Sequence, residues 1–267
     1  MINIFIVFGT RPEFIKLAEV IEVLNKNPKI QISIISSNQQ RDLLKKYIKD
    51  ELVNYELGLD KFKDDSNFIS KFLIKFDSIC KKKLIDYLFI QGDTNTAFAT
   101  SLYGFLNKIP IIHLEAGLRT YDIYNPYPEE FIRQSISKIA KVHLCQNKTS
   151  VKNLRMEDIT KNVHIVGNPG IDHLLKNIKK IDLNKNKLIK NRILVTMHRR
   201  ESLDKNLELF VENLKRFLIN NSKFSVVWPL HSNPNILKKI KISFKTFNTN
   251  QILFIEPQKY SSFLKLL

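Results

Sequence analysis

Apolar residues fall along this chain in two alternating rhythms. The first is short and nearly continuous: Ile2 to Phe8, Ile30 to Ser36, Leu84 to Gln91, Ile111 to Leu114, Val142 to Cys145 and His164 to Val166. Such runs predict strands buried on both faces, as in a parallel sheet. The second rhythm recurs every three to four residues. It predicts helices from Arg11 to about Leu24, from about Asp65 to Lys82, from Thr96 to Leu106 and from Pro128 to about Ala140. The last has Ile132, Ile136, Ile139 and Ala140 on one stripe. Asn38 to Arg41 opens a further helix. The stretch 176–191 is rich in Lys and Asn and has no apolar period, so it predicts a link between domains. The pattern then restarts, with strands at Arg192 to Thr196, Phe224 to Pro229 and Gln251 to Ile255, and helices ending near Leu218, following Pro234 and opening at Tyr260. This alternation predicts an α/β protein with two Rossmann-like domains, 1–175 and 192–267.

Candidate chemistry gathers where the predicted strands end. Asp93 and Glu115 each follow a strand, and Glu129 opens the next helix. In an open parallel sheet the strands' carboxyl ends face the ligand crevice. Three acids there suit proton transfer. Plainer readings exist for each residue. Asp93 fits a helix cap, Glu129 and Arg133 fit an ordinary i,i+4 ion pair, and His113 fits a packed strand residue. After the first strand, Thr10 and Glu13 have the spacing of a capping box, with Pro12 in the first turn. A helix N-terminus in that position is also an anion site, where Arg11 could grip a phosphate and Lys16 add a charge. Five of the seven glycines, Gly9, Gly92, Gly117, Gly167 and Gly170, fall in these loops.

Composition narrows the classes. Apolar residues make up 43% of the 267, enough for a packed core. No apolar run approaches the ~18 residues a membrane span needs. Met1 to Phe8 lacks a basic leader and reads as a strand, not a signal peptide. Cys80 and Cys145 form no metal or redox spacing, and the six His residues show none either. No metal and no cofactor is expected, and the setting expected is the reducing cytoplasm. The net charge of +17 invites a nucleic-acid reading. The Lys residues, however, are scattered among Asn and Ile, as on solvated faces. No nucleic-acid or membrane partner is expected, and the positive field suits an anionic small molecule.

Five motifs in register change the picture. They are Phe-Gly-Thr-Arg-Pro-Glu at 8–13, Gly-Asp-Thr at 92–94, His-Leu-Glu-Ala-Gly-Leu-Arg-Thr at 113–120, Pro-Glu-Glu-x-x-Arg at 128–133 and Thr-Met-His-Arg-Arg-Glu at 196–201. From residue 2 to residue 267 the chain resembles the non-hydrolysing UDP-N-acetylglucosamine 2-epimerases. The resemblance implies the GT-B arrangement of two Rossmann-like domains facing across a cleft. It implies interconversion of UDP-N-acetylglucosamine and UDP-N-acetylmannosamine by elimination and re-addition of UDP, feeding surface polysaccharide synthesis. It assigns Asp93, Glu115 and Glu129 to proton traffic, unranked. His198 joins the catalytic set on the diphosphate side, with Arg11 and Lys16 beside it. Arg133, His231 and Gln258 are assigned to substrate binding. A UDP-sugar is the implied partner, and the complete form is expected to be a homodimer.

The sequence departs from the family pattern in three places. Asn38 and Gln40 stand where relatives usually carry Gly and His, beside the retained Gln39, and Ile132 stands where Asn is usual. The family's later strand ending in Asp-Ser-Gly-Gly is also absent, so the second domain is expected to be incomplete. A natural truncation, a split gene and an incomplete record all fit. The isolated chain is then expected to turn over little. Rival readings are an inactive remnant, half of a split enzyme, and another GT-B enzyme such as a hydrolysing epimerase or a glycosyltransferase. The scattered Lys residues carry their own test. Retention on a nucleic-acid column should vanish at moderate salt and show no sequence preference. Sequence-selective retention at physiological salt would contradict the solvated-face reading.

Overall fold

The apolar run at the amino terminus becomes a central strand. β1 (Ile2–Phe8) sends Ile4, Ile6 and Phe8 to one face and Phe5 and Val7 to the other, because successive strand side chains point opposite ways. All five are buried. The computed structural model describes residues 1–39, 52–62, 64–179, 191–196, 207–230, 234–245, 247, 250–258 and 260–266. After β1 come α1 (Arg11–Asn25), β2 (Ile30–Ser36), β3 (Tyr55–Glu56), α2 (Asp65–Cys80), β4 (Tyr87–Gln91), α3 (Asn95–Leu106) and β5 (Ile111–Ala116). Then follow α4 (Glu129–Ile139), β6 (Val142–Cys145), α5 (Lys148–Met156), β7 (Val163–Ile165) and α6 (Pro169–Ile178). These strands pair in parallel in the order β3-β2-β1-β4-β5-β6-β7. The order reverses between β1 and β4, the switch point where a doubly wound sheet opens a crevice at its carboxyl edge.

Helices cover both faces of the sheet. Phe14, Leu17 and Ile21 of α1 pack on Ile4, Ile6, Phe8 and Ile34. On the opposite face, α2 presents Phe68, Phe72, Phe76 and Cys80 at intervals of four residues, all buried. Phe72 and Phe76 stack at 5.1 Å between ring centres, and Tyr103 of α3 meets Phe76 edge-on at 5.0 Å. Ile132 and Ile136 of α4 join Ile90, Ala97 and Ile111, with Ile139 and Ala140 at the margin. Cys80 and Cys145 lie inside these layers, and burial pushes their thiols up to about 12 and about 11, so neither is a reactive thiolate at neutral pH.

Met1–Leu175 forms one unit and Lys176–Leu267 a second. The second holds β8 (Arg192–Leu194), α7 (Leu207–Asn220), β9 (Ser225–Pro229), α8 (Pro234–Phe244), β10 (Ile252–Ile255) and α9 (Tyr260–Leu264). Its parallel sheet runs β10-β9-β8. The single Trp, Trp228, is fully buried there, with Phe210 and Phe244 edge-on and Phe254 tilted against it.

The structure departs from the sequence expectation in a few places. β4 starts at Tyr87, not Leu84. The Asp86 carboxylate ties down the Asn3 N–H at 2.7 Å, and Leu84 is exposed. Helix α5 was not foreseen, since only Ser150 and Leu154 are buried on it and its apolar period is correspondingly faint. Its start is set by Asn147, whose side chain accepts from Ser150 N–H at 2.9 Å. Helix α6 buries no side chain and runs through Ile178, into the stretch expected as a linker; residues 180–190 of that stretch lie outside the described set. So do Gln40 and Arg41 of the helix expected after Asn38.

The aromatic ladder of α2 generates a stability prediction. Phe72→Ala removes a fully buried ring from between two others. It should cost about 3–5 kcal/mol, read as a lowered midpoint of urea unfolding followed by far-ultraviolet circular dichroism. A loss below about 1 kcal/mol would show that the ladder is not a close-packed core.

Candidate active site

The crevice is assembled from the exits of β1, β4, β5 and β6. At the first exit, Gly9 admits no side chain: a Cβ there would fall 2.2 Å from Thr96 Oγ1 and 2.3 Å from Ser37 Oγ. Those hydroxyls bond each other at 2.8 Å, so the β1, β2 and β4 exits are drawn together. Thr10 is the N-cap of α1, and Arg11 is its first residue. Glu13 is 1% exposed. One of its oxygens accepts from Gly9 N–H at 3.0 Å, Thr10 N–H at 2.7 Å and Thr10 Oγ1 at 2.8 Å. The other accepts from Thr94 Oγ1 at 2.7 Å. Glu13 therefore stitches the β1 exit to the β4 exit. It also takes two loop N–H groups that a phosphate could otherwise have used, which weakens the anion site expected at the start of α1.

At the β4 exit, Gly92 has φ +71°, a left-handed backbone that glycine adopts without strain. Its N–H donates to Leu114 O at 3.0 Å. Its carbonyl lies 2.8 Å from His113 Nε2, which must carry the proton because a carbonyl only accepts. His113 is 1% exposed, so it is packed, as expected, but it also fixes this turn. Thr94, not Asp93, caps α3, accepting from Ala97 N–H at 3.1 Å. Asp93 is thereby released from capping and accepts from Arg133 Nη1 at 2.6 Å.

Arg133 is 8% exposed, and its ion pair within the helix runs to Glu130 at i,i+3. Its Nε and Nη2 donate to Glu130 Oε2 at 2.9 and 2.6 Å. Glu130 is fully buried and also accepts from Tyr121 N–H at 3.2 Å and Gln134 Nε2 at 3.0 Å. One guanidinium thus joins α4 to the β4 exit. Glu129 lies one turn before Arg133 on the same helix face.

Glu115 sits at a break in the ladder. Leu114 pairs with Leu144 and Ala116 with Cys145, and Glu115 between them has φ +71°. Its carboxylate takes Lys16 Nζ at 2.5 Å and Gln91 Nε2 on one oxygen, and Gln146 Nε2 at 2.5 Å on the other. Lys16, expected on the diphosphate side, is here paired with an acid 99 residues away. Glu115 and Lys16 both act electrostatically on Asp93. The structure therefore brings Asp93, Glu115, Lys16 and Arg133 together, with Glu129 one turn away and Arg11 on the same edge of the sheet. Gln258 lies in the second unit after β10, its amide donating to Glu256 O at 2.7 Å. His198 and His231 lie outside the described residues. Among the described residues, no cluster of three His, Cys, Asp or Glu could hold a metal ion.

Comparison with known proteins decides what this arrangement belongs to. A family model described as UDP-N-acetylglucosamine 2-epimerase matches residues 22–267. A Campylobacter jejuni protein named UDP-N-acetylglucosamine 2-epimerase is 35% identical, covering 99% of this chain and 74% of its own length. One of the same name from Salmonella borreze is 33% identical, covering 100% and 74%. The chain belongs to the UDP-N-acetylglucosamine 2-epimerase family. The Neisseria meningitidis crystal structure of UDP-GlcNAc 2-epimerase bound to UDP-GlcNAc superposes with a TM-score of 0.87 at 32% identity, over 99% of this chain and 75% of that one. The chain thus spans about three quarters of the length of these family members.

Within this family member, several site residues carried no sequence signal of their own. Glu130 was hidden by its neighbour Glu129, and Glu13 was legible only as a helix cap. Gln91 and Gln146 are single amides beside strands, and their signal is position alone: the last residue of β4 and the first after β6. The environments of the acids differ. Burial pushes the Asp93 carboxyl up, the Arg133 guanidinium pulls it back, and the nearby Glu115 charge adds to the net rise. Burial also pushes Glu130 up, but bonds from Gln134 and Arg133 outweigh it and hold this carboxyl low. Glu13 ends above the usual carboxylate range, because burial exceeds the pull of its hydrogen bonds.

His113 supplies a pH prediction. Burial lowers its pKa from 6.5 to about 4. The unfolded chain then binds a proton between those values that the folded chain does not, so stability falls as pH drops from about 6.5 towards 4 and is unaffected above that window. The difference corresponds to roughly 3 kcal/mol at the acid end. His113→Asn keeps an N–H donor near Gly92 and removes the titration. Urea unfolding of both proteins across this window should show a shallower acid slope for the variant, and equal slopes would refute the assignment.

Proposed function

We infer that this chain is a UDP-N-acetylglucosamine 2-epimerase, an isomerase that inverts C2 of the sugar in UDP-N-acetylglucosamine to give UDP-N-acetylmannosamine. The observation that carries this reading is the meeting of two acids, Asp93 and Glu115, at the exits of β4 and β5 beside the sheet's switch point, each held by a cation or amide. Inversion at C2 by elimination needs three things. One group must take the C2 proton, another must return a proton to the opposite face, and cations must receive the departing diphosphate. When the C2–H bond breaks, its electron pair forms the C1=C2 double bond and the C1–O bond to UDP leaves with its own pair. Re-addition of UDP at C1 with protonation at C2 from the other side completes the inversion.

The acids occupy environments that differ in the way such chemistry requires. Asp93 is desolvated, and burial raises its carboxyl above the usual range, the direction that favours a proton-transfer role. Glu115 faces it with Lys16 and two amides arrayed on its oxygens. Glu129, the first residue of α4, is the third acid of the proposed set. Arg11, at the first turn of α1, supplies a cation for the diphosphate. Lys16 can add to that charge when a ligand competes with Glu115 for its ammonium. His198 joins the proposed catalytic set, and Arg133, His231 and Gln258 join Arg11 and Lys16 in the proposed binding set.

The decisive measurement is deuterium incorporation at C2 of UDP-N-acetylglucosamine in heavy water. It is made with the 267-residue chain and with the chain fused to the part of the Campylobacter jejuni relative that it does not span. Exchange is expected in at least the fused protein, and Asp93→Asn should lower it by a factor of at least a thousand. Absence of exchange in both would refute the epimerase reading. Free UDP accumulating with substrate would instead point to a hydrolysing enzyme or a glycosyltransferase.

A further inference from the structure

We propose that Gln146 is a positioning residue that fixes the plane of the Glu115 carboxylate, an inference resting on the epimerase reading above. The backbone creates the need for it. The irregularity between Leu114 and Ala116 leaves Glu115 outside the β5–β6 register, with a left-handed φ of +71°. Its side chain is therefore not directed by the ordinary pleat of the strand. Three donors direct it instead. Lys16 and Gln91 share Oε2, while Gln146 donates to Oε1 at 2.5 Å.

A carboxylate gripped through one oxygen can still turn about its terminal torsion, which is broad and roughly two-fold. Gripped through both oxygens from opposite sides, it cannot. Gln91 ends β4 and Gln146 follows β6, so the two amides reach Glu115 from the strands on either side of β5. Lys16 supplies charge compensation, and Gln146 supplies the second fixed point. The side chain of Glu115 is only 13% exposed, so little of the carboxylate faces a ligand. Which lone pair occupies that opening is set by the plane. Proton transfer depends on that alignment, and modest misplacement of a reacting group is costly.

Two variants test this. Gln146→Leu removes the donor at similar size, and Gln146→Glu replaces it with a like charge. In C2 deuterium exchange, Gln146→Leu should lower kcat about tenfold or more, with KM changed less than about threefold. That corresponds to the loss of one hydrogen bond to a charged group. Gln146→Glu should move the acid limb of the pH–rate profile to higher pH, because two adjacent carboxylates resist joint ionisation. The second readout needs no activity. Carbon-13 carboxyl labelling of Glu, with the Glu115 resonance assigned by its loss in Glu115→Gln, follows its titration in the 267-residue chain. Gln146→Leu should shift that midpoint to higher pH than in the unsubstituted chain. If the unsubstituted proteins show no exchange, the epimerase reading has failed and the titration alone decides the role of Gln146. If Gln146→Leu does not fold, Gln146→Glu decides. Unmoved titration together with unmoved kinetics would overturn the proposal.

Discussion

The strand-order reversal between β1 and β4 is the constraint on which the rest of this site depends. The connections from those strands depart in opposite directions, so no single helix can cover both exits. The gap is closed with polar groups instead. Glu13 spans it, accepting from Gly9 and Thr10 on one side and Thr94 on the other. Ser37 and Thr96 join hydroxyls beneath it, and Gly9 has no side chain because those hydroxyls fill the space. A crevice held open this way presents ionisable groups at fixed positions without burying them beyond the reach of a ligand.

Concentrating acids in one place carries an electrostatic cost that has to be met locally. Each unpaired, desolvated carboxylate would be strongly unfavourable. Glu130, the most buried, receives a forked pair of bonds from Arg133 and further donors from Tyr121 and Gln134. Asp93 receives a single bond from the same guanidinium. Arg133 is thus divided unequally: with Gln134 it holds Glu130 low against burial, while Asp93 stays net raised by burial. The invariably charged guanidinium suits this bridging better than an ammonium would, since its planar fork presents several donors in fixed directions. One cation with two partners, helped at Glu130 by Gln134, leaves two neighbouring carboxyls shifted in opposite directions.

How much of this was legible follows from the distances involved. The capping box at Thr10–Glu13 and the stripe of Ile132 and Ile136 are interactions within one or two helical turns, and sequence spacing encodes them directly. The acids at strand exits were legible because a buried strand and the residue after it can both be read locally. Partner choice was not. Lys16 stands five residues after the start of a well-capped helix, and nothing nearby in the chain points to Glu115 across 99 residues. Arg133 seemed satisfied by Glu129 at i+4 spacing, yet Glu130 at i+3 holds the forked bond because it lies on the buried side. Helix α5 was missed because it buries too little to leave an apolar period. The capping role weighed for Asp93 fell to Thr94, a choice decided by one residue of register.

Glu115 shows why the local rules give way at this site. A glutamate at φ +71° is in a region that costs a non-glycine residue of order 1 kcal/mol or more. A glycine at 115 would have adopted this backbone without strain. It would also have removed the carboxylate. The strain persists because the surrounding sheet over-determines it. Leu114 is held by β6 through Leu144 and by Gly92 N–H through its carbonyl, and Ala116 is held by Cys145. With both neighbours fixed, the only freedom left at position 115 is the direction of its side chain. The left-handed turn spends that freedom by pointing the carboxylate at Lys16, Gln91 and Gln146 rather than along the pleat. The fold therefore tolerates an unfavourable backbone at one residue in return for an acid whose orientation is set by three separate elements, α1, β4 and the segment after β6.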